Sequence, residues 1–126
     1  MNTEDMSEHI TDIEGDWKIV RYKKHPECMN YTIIIKGHGF DSNVFKIHVR
    51  VVNEFTCILK HNPETNKWEI SEVTSTELIG RSKEHSHTED VLHRLIISIE
   101  NVVVHEEHQL IFSTNKGERI ELERLP

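Results

Sequence analysis

From Val44 to Val52 the chain alternates apolar and polar side chains without interruption. Phe45, Ile47, Val49 and Val51 point one way, and Lys46, His48 and Arg50 point the other. A period of two marks an extended strand with one face in a core and one in water. Asn53-Glu54 breaks the pattern, and Phe55, Cys57 and Leu59 resume it as far as Lys60. Two alternating runs separated by a short polar turn predict a β-hairpin.

The rest of the chain offers comparable segments. Trp17 to Tyr22 alternates and is broken by His25-Pro26-Glu27, where proline fixes φ and removes a donor. Tyr31 to Lys36, Lys67 to Thr74 (carrying Trp68, Ile70 and Val73) and a short piece at Thr76 to Ile79 read as strands. Val102 to Val104, Gln109 to Ser113 and Arg119 to Arg124 read as three closing strands, the last two joined at Asn115-Lys116-Gly117. Composition supports this reading. There is no alanine, and isoleucine and valine outnumber leucine more than threefold. Branching at Cβ suits a pleated, half-buried surface.

One segment follows a different period. Leu92, Leu95, Ile96 and Ile99 fall at i, i+3, i+4 and i+7, which places them on one helical stripe. Ser86-His87-Thr88-Glu89 has the spacing of a capping box, with Ser86 as N-cap, after a polar loop from Gly80. The predicted helix ends near Glu100 or Asn101. The expected fold class is therefore mainly β with one helix: a small antiparallel, calycin-like barrel or half-barrel closed by that helix. Residues 1–13 are expected to form a flexible polar arm and residues 14–126 a single domain.

Charge and patterning exclude several classes. With Lys+Arg 15 against Asp+Glu 22 the net charge is -7, which disfavours nucleic acid as a partner. No apolar run approaches the length of a membrane span, and the first residues lack a secretory h-region. The expected setting is the cytoplasm, with Cys28 and Cys57 as free thiols.

Gly15-Asp16-Trp17 at the start, and the order strand, turn, helix and three short strands at the end, resemble the META domain, the family that includes the bacterial heat-shock protein HslJ. Val52-Asn53 stands where that family has a Cys-Asn step, and Thr76-Glu77-Leu78-Ile79-Gly80 where it has Thr-x-Met-Ala-Cys. Glu89-Asp90-Val91-Leu92 matches the family's helix entry. Leu110-Ile111-Phe112, Gly117 and Ile120-Glu121-Leu122-Glu123-Arg124 match its closing hairpin. The likeness covers Gly15 to Leu125 and is densest in the last third. Val52 and Gly80 replace both family cysteines, which implies a cytosolic member without a cystine there. The resemblance implies a stress- or virulence-related theme and carries no agreed enzymatic activity.

Gly15-x-Trp17 also resembles the opening strand of lipocalins, in which a late arginine covers the tryptophan. Arg124 or Arg119 would fill that place by cation–π stacking. This keeps a second reading open, a carrier of a small apolar ligand.

Chemistry-bearing clusters are sparse. His85-Ser86-His87 and His105-Glu106-Glu107-His108 lack the spacing of a zinc motif. Glu106-Glu107 and Glu89-Asp90 lack the setting that separates an acid from a base. There is neither a Gly-x-Ser-x-Gly elbow nor a glycine-rich phosphate loop. No catalytic residue, cofactor or metal site is therefore expected. The candidate surface patch is cationic: Lys18, Lys46, His48 and Arg50, with the run Arg21, Lys23 and Lys24 beside it if the strands are neighbours. Such a patch on an acidic protein suits an acidic protein partner. The expectation is a non-enzymatic interaction module of the META type, with a lipocalin-like carrier as the alternative. A filled interior favours the first, and a cavity of a few hundred Å³ the second.

Overall fold

In a computed structural model of the chain, residues 13–76 and 83–126 are described. Eight strands run in the order β1 (Gly15–Arg21), β2 (Thr32–Gly37), β3 (Val44–Arg50), β4 (Glu54–Asn62), β5 (Lys67–Ser75), β6 (Ile99–His105), β7 (Gln109–Thr114) and β8 (Arg119–Arg124). A short 3-10 helix, Pro26–Cys28, follows β1, and one α-helix, α1 (Lys83–Ile97), separates β5 from β6. The strands form one antiparallel sheet in the spatial order β5-β4-β3-β2-β1-β8-β7-β6. Strands β5 and β6 approach each other without a ladder between them, so the sheet nearly closes into a barrel.

The inward faces are those the alternation assigns. Trp17, Ile19, Ile33, Ile35, Phe45, Ile47, Val49, Phe55, Leu59, Leu110, Phe112, Ile120 and Leu122 are all buried in one apolar cluster. Leu92, Leu95 and Ile96 of α1 join them, together with Val91 beside the stripe. Burying a side chain of this size stabilises by about 1.5–3 kcal/mol before conformational entropy is counted. Cys28 and Cys57 are both free and buried.

Several expectations are corrected. Helix α1 begins at Lys83, so Ser86 lies inside it rather than at its cap. It stops at Ile97, before the predicted end. The Ser98 hydroxyl donates to the carbonyls of Arg94 (2.7 Å) and Leu95 (3.0 Å), and β6 starts at Ile99. Ile99 is still buried, but as a strand residue. Of the apolar residues that the Lys67–Thr74 strand carries, Trp68 is buried, Ile70 is half-buried and Val73 is exposed. The β4–β5 register shifts between Thr56 and Ile58, and Glu72 sits at φ 51. This bulge breaks the alternation of β5. Ile13, assigned from sequence to the arm, is buried in the core, while residues 1–12 and the proposed strand beyond Thr76 lie outside the described residues. No helix among the described residues is long and apolar enough to cross a membrane.

Candidate functional site: a cationic groove beside the β7–β8 hairpin

The groove is built where β1 leaves the sheet. Residues after Arg21 run past the β7–β8 turn, because β1 pairs with β8 up to Arg21–Glu121. The turn is fixed locally. Gly117 takes φ 79 and donates to the Thr114 carbonyl at 3.0 Å. The Thr114 hydroxyl receives the amides of Lys116 (3.3 Å) and Glu118 (3.2 Å). A positive φ costs glycine nothing, which makes Gly117 the pivot.

Arg21, Tyr22, Lys23 and Lys24 form one wall of a groove of about 550 Å³, and Lys116, Gly117, Glu118, Arg119 and Glu121 form the other. A smaller depression of about 170 Å³ continues from it. That extension shares Tyr22, Lys24, Lys116 and Glu118 and adds His25, Val91, Arg94 and Leu95. Six cationic side chains therefore face two carboxylates, on a chain whose net charge is -7.

The two carboxylates are held by the walls themselves. Glu118 accepts from the Tyr22 phenol (3.4 Å) and the Thr114 hydroxyl (3.3 Å), with Lys24 Nζ at 3.8 Å. Glu121 accepts from Gln109 Nε2 at 3.0 Å and has Arg21 at 4.0 Å and Arg119 at 3.7 Å. Burial, and then the charge of Glu118, push the Tyr22 phenol above its ordinary value, so it stays a neutral donor. Lys23 and Lys116 have no carboxylate partner among the described residues. The arrangement has cations to spare and a phenol fixed between them. It can hold an anion, and it shows no nucleophile paired with a base.

The patch expected from sequence is arranged differently. Lys46, His48 and Arg50 do share the outer face of β3. Strand β2 separates them from β1, so Lys18 lies about two strand spacings away, roughly 10 Å. Lys18 sits opposite Glu123 of β8. Glu54 Oε1 lies 3.9 Å from Arg50, and Glu54 Oε2 lies 3.3 Å from His48 Nε2, off the line of a hydrogen bond. These carboxylates offset the positive face. The part of the basic run that does converge is Arg21, Lys23 and Lys24. Its partners Arg94, Lys116 and Arg119 come from segments far along the chain, and no local sequence signal links them.

The late arginine is Arg124, whose guanidinium carbon stands 4.3 Å from the Trp17 ring centroid. Arg119 is committed instead to Glu121. Of the histidine clusters, His105 lies 3.4 Å from Glu106 in an exposed turn. His87 meets His25 and Glu27 across the 3-10 turn.

No family model matches the chain, and no curated protein does. A solved structure described as the "NMR structure of the protein from Burkholderia xenovorans" aligns with a TM-score of 0.60 at 10% identity. The alignment covers 91% of this chain and 86% of that one. This likeness is one of fold alone.

Proposed function

We propose that this domain is a non-enzymatic binding module that uses the groove between the end of β1 and the β7–β8 turn to hold an acidic segment of a partner protein. One observation carries the reading: six cationic side chains gather around two carboxylates on a chain of net charge -7. Gathering like charges is unfavourable without a counter-charge, and a groove-bound anion supplies one. The groove also runs on past Lys24 and Lys116 to His25 and Arg94, so a further cation stands along the path of an extended acidic peptide.

The META-type reading belongs to this proposal. Its support is a contact between two of the matched segments. Glu89, in the segment matched to the family's helix entry and here inside α1, accepts from the amides of Val52 (2.9 Å) and Asn53 (2.5 Å) and from Asn53 Nδ2 (3.0 Å). The stress- or virulence-related theme and a cytoplasmic setting come with that resemblance.

The carrier reading has one observation in its favour, the stacking of Arg124 on Trp17. Against it, the inward face is one contiguous cluster of large apolar side chains.

A fluorescein-labelled peptide of alternating glutamate and leucine, titrated by anisotropy, tests the groove. Binding should weaken at least tenfold in the double variant Lys23→Glu/Lys116→Glu and weaken with added salt. An affinity unchanged by that charge reversal would refute the proposal.

A further inference from the structure

We propose that His25, Glu27 and His87 form a binding site for one borderline divalent cation of the Zn²⁺ class, which would clamp α1 to the 3-10 turn. The three ligand atoms, His25 Nδ1, Glu27 Oε2 and His87 Nε2, all lie within 4.8 Å of one another. Glu27 Oε2 stands between the two imidazoles, 3.2 Å from His25 and 2.7 Å from His87. In a tetrahedral zinc site with bonds of about 2 Å, ligand atoms sit roughly 3.3 Å apart. The His25–Glu27 pair already has about that separation, the Glu27–His87 pair is about 0.6 Å short of it, and the two imidazoles, within 4.8 Å, need only close on each other by side-chain rotation to share one ion. On binding the ion, each imidazole would carry its proton on its other ring nitrogen and present a lone pair where it now donates to Glu27.

The surroundings favour a fixed set over a chance meeting. Pro26 opens the 3-10 helix, and the amides of Cys28 and Met29 close it on His25 (3.0 Å) and Pro26 (3.1 Å). Glu27 is thus held on a short rigid turn whose next residue, Cys28, is buried in the core. The Tyr22 ring meets the His25 ring edge-on, with centroids 5.1 Å apart. His87 comes from the helix, 60 residues further along. Two neutral imidazoles and one carboxylate make an N2O set that suits zinc and its neighbours, and the exposed side facing solvent leaves room for water as a fourth ligand. Calcium and magnesium, which require oxygen donors, do not fit.

His25 also lines the extension of the groove, but none of the three ligands is among the residues reversed in the groove test, so the two proposals fail separately. Isothermal titration of the full chain with ZnCl2 should show one ion per chain. Titration with CoCl2 followed by absorption spectroscopy should give the visible bands of a tetrahedral cobalt centre. Glu27→Gln and His87→Ala should each weaken that one-to-one step at least tenfold. His105→Ala/His108→Ala, which removes the other exposed histidine pair, should leave it in place. Because the ion links two segments, it should also raise the thermal midpoint of the wild-type chain and fail to raise that of His87→Ala. A variant that loses its native circular dichroism is replaced by His25→Gln, for which the same tenfold loss is expected. No one-to-one step, or one that survives both Glu27→Gln and His87→Ala, would overturn the proposal.

Discussion

The Arg124 guanidinium lies over the Trp17 ring, 4.3 Å from its centroid, and ties both ends of the domain together at that point. Its Nη1 donates to the Glu14 carbonyl at 2.5 Å and its Nε to the Glu107 carbonyl at 2.9 Å. Trp17 Nε1 in turn donates to the carbonyl of Ile13 at 2.8 Å. One planar cation thus satisfies two carbonyls and caps the largest buried side chain, a combination that lysine cannot reproduce. Arg124→Ala is expected to cost about 2 kcal/mol in a urea titration, and Arg124→Lys should recover less than half of that.

The same contact explains Gly15. Its φ is 146, and a Cβ placed there would lie 2.6 Å from Arg124 Nη1. Gly15→Ala should therefore destabilise both by backbone strain and by pushing the guanidinium off Trp17. The predicted signature is strong non-additivity: in the Arg124→Ala background the cost of Gly15→Ala should fall by at least a third.

Glu89 is the second tie. It is buried and accepts from the Val52 and Asn53 amides and from the Asn53 side chain. Removing it leaves buried donors without an acceptor, so Glu89→Ala should cost about 3 kcal/mol. Glu89→Gln, which keeps one acceptor oxygen, should cost less. Equal midpoints for Glu89→Ala and the wild type would show that α1 is not held to the β3–β4 turn through this carboxylate.

Alkaline solution should destabilise the fold. Burial pushes the thiols of Cys28 and Cys57 from 9.0 up to about 12, with the Glu27 charge adding to the effect at Cys28. Between those values the unfolded chain loses thiol protons that the folded chain keeps. Stability is then fully present below pH 9 and falls as pH rises toward 12. Tyr22, raised by burial and by Glu118, acts in the same direction above pH 10. Urea midpoints measured from pH 8 to pH 11 should decline, and Cys57→Ser should show a shallower decline from a lower start. Native protein should also react slowly with a thiol reagent that modifies both cysteines once urea is added.

The β6–β7 turn holds two non-glycine residues at positive φ, Glu106 (54) and Glu107 (64). Successive positive φ values belong to a type I′ hairpin, which Asn-Gly fits better than Glu-Glu. Glu106→Asn/Glu107→Gly should stabilise by about 1 kcal/mol, because the Arg124 bond uses only the Glu107 carbonyl. A loss of stability instead would mean that the glutamate side chains themselves support the turn.

The alternation of β3 and β4, the helical stripe and the Asn115-Lys116-Gly117 turn were legible because each is a local pattern set by backbone period or by a φ that one residue type prefers. What escaped was non-local or broke the period. The β5 bulge at Glu72 shifts the strand's register against β4 without any sequence mark. Glu89 has the spacing of a capping residue, and its alternative partners stand 36 and 37 positions away. Arg21, Lys23 and Lys24 could be read as a cationic run. Their convergence with Lys116 and Arg119 depends on β1 pairing with β8, which no segment of the chain announces. His25 and His87 are likewise distant in sequence and meet only because α1 packs on the 3-10 turn.

The central claim is that the domain works through its outer cationic groove, and amide chemical-shift mapping tests it most directly. The ¹⁵N-labelled protein is titrated with the glutamate–leucine peptide and, separately, with a medium-chain fatty acid. The account predicts that the peptide shifts the amides of residues 21–24, 94 and 116–121, and that the fatty acid leaves Ile33, Ile47, Phe112 and Leu122 unmoved. Peptide shifts scattered away from those segments, or saturable fatty-acid shifts at the inward residues, would contradict it and make the barrel interior the working site.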